Sequence, residues 1–321
     1  MYLARRGLSL VFTLWIAMTI VFLLFRLLPG DPAAELLGPL ATAEARAQLN
    51  EELGLQKPLF EQYTIYLGDV VRGDLGQSFS ERQSVLSIIG PAFLNTFILV
   101  MLTFLLAYGG GLVLGVILAW YRGTRGEAIG SALALVFRGA PSFWLGIMAI
   151  TVFAVQLHWL PAAGMQNIGS FGQSQLQTYL SWDFVEHLIL PVSVATVFAV
   201  GLPLLLVRNT MLDVIGTPYM EMAEAKGLSQ RRVMFRHGAR NAMLPAVTAS
   251  AQFIAWAMGG MVVIENVFSW PGLGWTIVTA LEARDYLLAQ GALLLIALMV
   301  VVLNFLADIV TAYLDPRVKL V

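Results

Sequence analysis

Few of the 321 residues are equipped for covalent or metal chemistry. There is no cysteine, which removes disulfides, thiolate catalysis and Cys-ligated metals. The three histidines, His158, His187 and His237, stand far apart, so the i, i+4 pairing of a helix-borne zinc site is missing. Neither an HExxH nor a GxSxG motif occurs, and no acid pair stands at the centre of an apolar run. The lysines, Lys57, Lys226 and Lys319, follow Gln56, Ala225 and Val318. None completes the Gly-Lys-Ser/Thr of a phosphate-cradling loop. The chain is therefore expected to be no enzyme, to bind no metal and to hold no ATP of its own.

What remains is a small set of polar residues in apolar surroundings. A charge in lipid is costly and commonly functional. Arg138 opens "RGAPSFW". Inside a span it would face a partner or a wet path, where its guanidinium suits a carboxylate; at the start of one it would snorkel to the headgroups. Glu265 precedes Asn266 at the end of an apolar run. It is either an interfacial residue facing an outer vestibule or part of a path. Ala251, Ala255 and Gly259 recur every four residues, as do Gly111 and Gly115. Such small-residue faces let helices pack closely, and they can also line a wide pore.

The elements that must position these residues are membrane spans. The chain is 58% hydrophobic and 12% charged, against about a quarter charged in soluble domains. Its net charge of −1 gives no reason to expect a nucleic-acid partner. About 20 apolar residues cross a bilayer. Six runs qualify: about 8–28, 92–120, 128–157, 188–207, 241–264 and 286–307. The first lacks an A-x-A cleavage site after it and is expected to be retained. The whole of 1–321 reads as one transmembrane domain.

An even number of spans puts both termini on one side, and Lys and Arg choose the side. Twelve fall on the side of the termini: Arg5, Arg6, Arg122, Arg125, Arg208, Lys226, Arg231, Arg232, Arg236, Arg240, Arg317 and Lys319. Six fall opposite, over far more residues: Arg26, Arg46, Lys57, Arg72, Arg82 and Arg284. Both termini are thus expected in the cytoplasm. The large outer loop, 29–91, should carry two helices, one capped near Thr42 and ending by Gly54, the other running from Pro58 to Gly73. The third outer loop carries "FSWPGLGW", a forced turn with interfacial tryptophans.

Between the fourth and fifth runs lies a polar cytoplasmic segment, 208–240, with "YMEMAEAKG" at its centre. Thr217 is placed to cap a helix, Pro218 fits its first turn and Gly227 supplies a left-handed stop. A helix over 218–226 is about 13 Å long at 1.5 Å per residue, and one so short is marginal alone in water. It is either an ordinary solvated loop helix or a docking helix. Tyr219, Met220 and Met222 offer apolar anchors, and Ala223 and Ala225 allow close approach.

Here the residues carry a resemblance. Glu221-Met222-Ala223, three residues, then Gly227 resembles the EAA loop of ABC importer permeases. Leu244-Pro245 follows at the longer spacing of the dipeptide/oligopeptide/nickel branch, and Met222 departs from the usual alanine. "LPGDPA" at 28–33, "LGLQKPLFEQY" at 53–63, "GDLGQS" at 73–78, "LHWLPAAG" at 157–164, "KGLSQRRVMFRHGARNAMLPAVT" at 226–248, "VIENVFSWPGLG" at 263–274, "ARDYLLAQG" at 283–291 and a terminal "YLDPRV" are similar to that branch in order. They look like the first of its two unlike permeases.

The resemblance implies an all-α integral membrane protein with the type I importer fold, in the cytoplasmic membrane of a bacterium or archaeon. It implies a second permease, two ATPase chains that bind ATP and Mg²⁺, and an extracytoplasmic solute-binding protein. It assigns Tyr219, Met220, Glu221, Met222, Ala223 and Gly227 to ATPase coupling. Cargo in this branch ranges over dipeptides, longer peptides, nickel chelates, opines, glutathione and sugars. Arg138 departs from the small or apolar residue usual there, whereas a glutamate is usual at Glu265. An ion-coupled secondary carrier is the competing reading. It would require mid-span acids or broken spans in matching halves.

Overall fold

The computed structural model describes residues 2–26, 42–52, 56–167, 169 and 174–314. Among them every regular element is helical, and the one β feature is an isolated bridge between Gln77 and Ser84. The helices are α1 (Tyr2–Arg26), α2 (Ala43–Glu52), α3 (Leu59–Arg72), α4 (Val85–Trp120), α5 (Arg125–Gly139), α6 (Ser142–Ala149), α7 (Gln175–Tyr179), α8 (Trp182–Ile215), α9 (Pro218–Ala225), α10 (Leu244–Gly260), α11 (Val262–Val267), α12 (Leu273–Glu282) and α13 (Tyr286–Leu314). Helix α6 continues as a π-helix, Ile150–Gln156, and a mixed α/π stretch fills 230–242.

Four spans are unbroken: Arg6–Arg26, Val85–Trp120, Trp182–Ile215 and Tyr286–Leu306. Two more are bent pairs, Arg125–Gly139 with Ser142–Gln156 and Leu244–Ile254 with Ala257–Val267. Counting each pair as one span gives the expected six. The third run, expected as one helix over 128–157, is instead bent by 103°. Pro141 has no N–H to donate and pushes the residue before it out of helix. Ala140 accordingly sits at φ −75°, ψ 141°. The α4 and α8 helices outrun their apolar windows, and α8 starts at a cap, where Ser181 Oγ accepts from Phe184 N–H at 3.1 Å. Pro91, Pro191 and Pro203 sit inside these helices, which neighbouring groups in a membrane bundle tolerate.

The chain divides into two compact units, Met1–Thr96 with Pro271–Val302, and Phe97–Trp270 with Leu303–Leu320. In the first, Phe25, Val85, Ile89, Leu273, Ile277 and Leu288 are among the residues of a buried core. Gly291 lets α13 lie against α4: a Cβ there would come within 2.5 Å of Val85 Cγ1. The loop after α3 turns at Gly73 and Gly76, both at φ +79°, and is tied down by Asp285. This carboxylate is fully buried. Its Oδ2 accepts hydrogen bonds from Ser78 Oγ (2.5 Å), Ser80 N–H (3.0 Å) and Ser80 Oγ (2.8 Å), while Oδ1 accepts from Leu288 N–H at 3.1 Å. Asp285 thereby caps α13 and holds the loop after α3 with one side chain. The expected stop at Gly54, like the stretches 28–33 and 315–321, lies outside the described residues.

In the second unit, α4 and α8 approach closely through the predicted small-residue face. A Cβ on Gly115 would lie 2.6 Å from Leu204 O and 2.9 Å from Val207 Cβ. One on Gly111 would meet Pro203 Cγ at 2.7 Å. Gly201 does the same for α5, where a Cβ would lie 2.8 Å from Ala134 O.

Two outcomes follow. Gly115→Leu forces α4 from the α8 backbone and is expected to cost about 1–3 kcal/mol or more of stability, read as a lower thermal midpoint in detergent. Asp285→Asn turns an amide N–H₂ toward hydroxyl and N–H donors and is expected to cost about 2 kcal/mol. Burial alone would raise the Asp285 pKa, but the hydrogen bonds from Ser78, Ser80 and Leu288 outweigh it and hold it below 3.8. A depressed folded-state pKa means that the contribution is complete above the unfolded value and fades only as pH falls through the lower folded one. The wild-type chain should thus lose stability relative to Asp285→Asn only under strongly acidic conditions.

Candidate functional site

The polar segment after α8 folds as its sequence dictates, with one difference in its cap. Pro218 occupies the first turn of α9, and Gly227 sits at φ +71°, in the left-handed region that glycine enters without strain. Gly227 N–H closes the end by donating to Glu224 O at 2.9 Å. Thr217, expected to cap α9 with its side chain, makes no side-chain cap bond. Its hydroxyl turns back and donates to Val214 O at 2.7 Å. The backbone carbonyl of Thr217 accepts from Met220 N–H and Glu221 N–H instead. The residue is a link between α8 and α9.

The two faces of α9 differ sharply. Met220 and Ala223 are 1% and 5% exposed, and both turn inward. They pack with Val233, and Trp120, Val214 and Leu228 close around them. The helix is therefore seated on the last turns of α4 and α8. Gly238 leaves room for this seat: a Cβ there would meet Met211 Cε at 2.4 Å and Met220 Cε at 3.2 Å. Glu221, Met222 and Glu224 face outward, with Met222 60% exposed. Tyr219 is half-exposed and its hydroxyl lies 3.0 Å from His237 Nδ1, tying the start of α9 to the basic stretch beyond it. Of the six residues singled out around α9, two form its seat, and Tyr219, Glu221, Met222 and Gly227 lie on its open side.

A second anchor was not singled out from the sequence. Glu127 Oε1 accepts from Arg208 Nε at 2.8 Å, Arg208 Nη2 at 2.5 Å and Ser131 Oγ at 3.1 Å. This ion pair pins the start of α5 to the end of α8, ten residues before α9 begins. The signal was in the sequence: Thr124-x-x-Glu127 is a capping-box spacing, and Thr124 Oγ1 does accept from Glu127 N–H at 3.2 Å. Nearby, the buried cluster of Val116, Ala119, Val207, Met211, Met234 and Ala239 joins α4, α8 and the stretch after α9.

The candidate path residues fall on three helices, α5, α10 and α11. Arg138 is exposed in the last turn of α5, one residue before the helix ends. Its stem runs over α8 at Gly201, where a Cβ would lie 3.2 Å from Arg138 Cβ. Glu265 is 0% exposed, buried in α11. Its carbonyl accepts from Trp270 N–H at 2.8 Å and so closes the "FSWPGLGW" turn. Trp270 is itself fully buried against Phe184, at 5.5 Å between ring centroids, rather than resting at a membrane interface. Gly259 is exposed with open space where a Cβ would be. Ala251 and Ala255 lie on α10, and their side chains fall outside the described residues.

Comparison with known proteins bears on what this arrangement serves. Residues 111–320 match the family described as "Binding-protein-dependent transport system inner membrane component". Residues 1–100 match the N-terminal part of such membrane components. The chain is 34% identical to the dipeptide transport system permease protein DppB of Alkalihalophilus pseudofirmus, over 98% of each chain. It is also 34% identical to the glutathione transport system permease protein GsiC of Escherichia coli K12, over 99% of this chain and 98% of the relative. Among solved structures, an inward-facing MetNI methionine ABC transporter chain superposes with a TM-score of 0.57 at 17% identity, covering 72% of this chain and 97% of the other. That likeness bears on the fold.

The two faces of α9 separate experimentally. Met220→Ala empties the seat and is expected to cost about 2 kcal/mol or more, whereas Met222→Ala should leave stability within about 0.5 kcal/mol. Thermal unfolding of the two variants checks this.

Proposed function

The chain belongs to the family of binding-protein-dependent transport system inner membrane components, and from that premise we propose how it works. It is a permease subunit of an ATP-driven ABC importer, a multi-pass protein of the inner membrane. The competing reading, an ion-coupled carrier complete in itself, is set aside by the family match. The finer assignment is ours. This chain forms half of a translocation path for short peptides or related solutes, with an unlike second permease forming the other half. Its termini and α9 face the cytoplasm, where two ATPase chains bind ATP and Mg²⁺, and a solute-binding protein delivers cargo from the other side. The relatives named for dipeptide and glutathione transport favour peptide-like cargo.

One observation carries the mechanism. The α9 helix has an inward face seated on α4 and α8 and an outward face, Glu221, Met222 and Glu224 with Tyr219 at its edge, that is exposed among the described residues. A helix of eight residues is marginal alone, so its seat makes it a rigid knob on the ends of two spans. An ATPase surface that grips the open face differently in its open and closed states biases the spans between two arrangements. Only such differential contact can shift a conformational equilibrium. The Glu127–Arg208 pair carries the displacement from α8 into α5. Arg138 and Glu265 are candidate path residues in this reading, with Gly259, Ala251 and Ala255 as a small-residue face beside them.

The test is reconstitution of the four-chain assembly in liposomes, with the binding protein outside. Wild type should import a short peptide at the expense of ATP. In Gly227→Val a β-branched residue is held at φ +71°, a strain of about 1–2 kcal/mol. Hydrolysis should then continue while uptake falls several-fold at unchanged assembly. Uptake equal to wild type would refute the coupling role of α9.

A further inference from the structure

The first unit holds a half-open pocket of about 410 Å³ at the end of α1 remote from the N-terminus, between α3 and α13. Its volume falls within the roughly 300–1,000 Å³ of small-molecule sites. Arg26, Asp69, Asp74, Tyr66 and Gln290 bring polar groups to it, and Leu287 is part of an apolar wall. Lys57 also borders the pocket, but its ammonium is taken by Glu61 at 3.1 Å. Arg26 differs. Its guanidinium lies over the Phe22 ring, 5.6 Å from the centroid, and no carboxylate of the described residues lies within ion-pair distance of it. Phe22 is itself 3% exposed and packs on Tyr63 and Tyr66 at 5.2 and 5.4 Å. The Tyr63 hydroxyl is fixed to Thr19 at 2.6 Å. An aromatic cluster thus holds a half-buried cation at the wall of a cavity.

A half-buried cation facing a cavity recruits an anion. Glu51, Asp69 and Asp74 in the same lining supply the opposite charge, and Asp74 is fixed because its Oδ1 accepts Gly76 N–H at 3.0 Å. We propose that this pocket binds a small soluble zwitterion, the free amino acid or short peptide class, with its carboxylate on Arg26 and its ammonium on Asp69 and Asp74. The site lies wholly within the first unit and shares no residue with α9 or the candidate path residues. It is a second ligand site on the permease, separate from the route that cargo takes, and it does not rest on the transport reading.

The test is equilibrium binding of Ala-Ala, its C-terminal amide and its N-acetyl form. The assembled transporter, without its solute-binding protein, is held in phosphatidylcholine nanodiscs. Wild type should bind Ala-Ala saturably, and capping either end should weaken binding about tenfold, the equivalent of one charge-assisted contact. In Arg26→Gln the dipeptide should bind about tenfold more weakly, and the amide cap should then cost nothing further. Arg26→Lys should restore sensitivity to that cap. Asp69→Asn with Asp74→Asn should remove sensitivity to the acetyl cap alone, which a folding defect would not do. No saturable binding to wild type, or equal cap costs in wild type and Arg26→Gln, would overturn the proposal. Binding abolished when phosphatidylethanolamine replaces phosphatidylcholine would assign the pocket to a lipid headgroup and overturn it as well.

Discussion

Eight residues of helix cannot hold their own shape in water, and this constraint organises the part of the protein around α9. Forming the first helical turn is unfavourable, and few bonds follow to offset it in so short an element. The α9 helix is stable because Met220 and Ala223 are buried against Val233, with Trp120 and Val214 beside them. Those neighbours are the last turns of two membrane spans. In the proposed coupling role, stability and function use the same contact: what keeps the helix folded would also move it with α4 and α8. Thr217 strengthens the arrangement by giving its hydroxyl to the end of α8 rather than to α9.

The membrane part obeys a complementary rule. Lipid offers no hydrophobic drive between helices, so close packing must hold them. Gly111 and Gly115 admit the backbone of α8, and Gly201 admits that of α5. Two buried carboxylates act as polar tethers. Asp285 gathers four hydrogen bonds where a loop meets a helix start, and Glu127 gathers Arg208 and Ser131 where a helix end meets a helix start. Both carboxylates sit at ends of spans, where a buried charge can be satisfied by backbone and side-chain donors.

Much of this was legible in the sequence, for reasons that differ by residue. Hydropathy shows spans because about 20 apolar residues are what a bilayer requires. Gly227 and Gly73 were legible as stops because only glycine enters φ > 0 cheaply, and Gly111 with Gly115 as a packing face from their spacing. Pro141 carried the signal for the 103° bend, but the apolar run continues through it, and composition hides a change of direction. The division of α9 into seat and open face was not legible. Both faces carry a methionine, and only packing against Trp120, distant in sequence, and Val233, in the stretch after α9, decides which one is buried. The burial of Glu265 was not legible either. An acid after an apolar run reads as interfacial, whereas here the turn at Trp270 folds back over it.

The central claim is that the outward face of α9, and not the inward one, meets the ATPase chains. The chain has no cysteine, so single substitutions report without background. Maleimide labelling of Met222→Cys and Met220→Cys, with and without the ATPase chains assembled, addresses the claim directly. The account predicts that Met222→Cys labels readily in the permease alone and is protected on assembly, while Met220→Cys resists labelling in both. Equal labelling of Met222→Cys with and without the ATPase chains would contradict it.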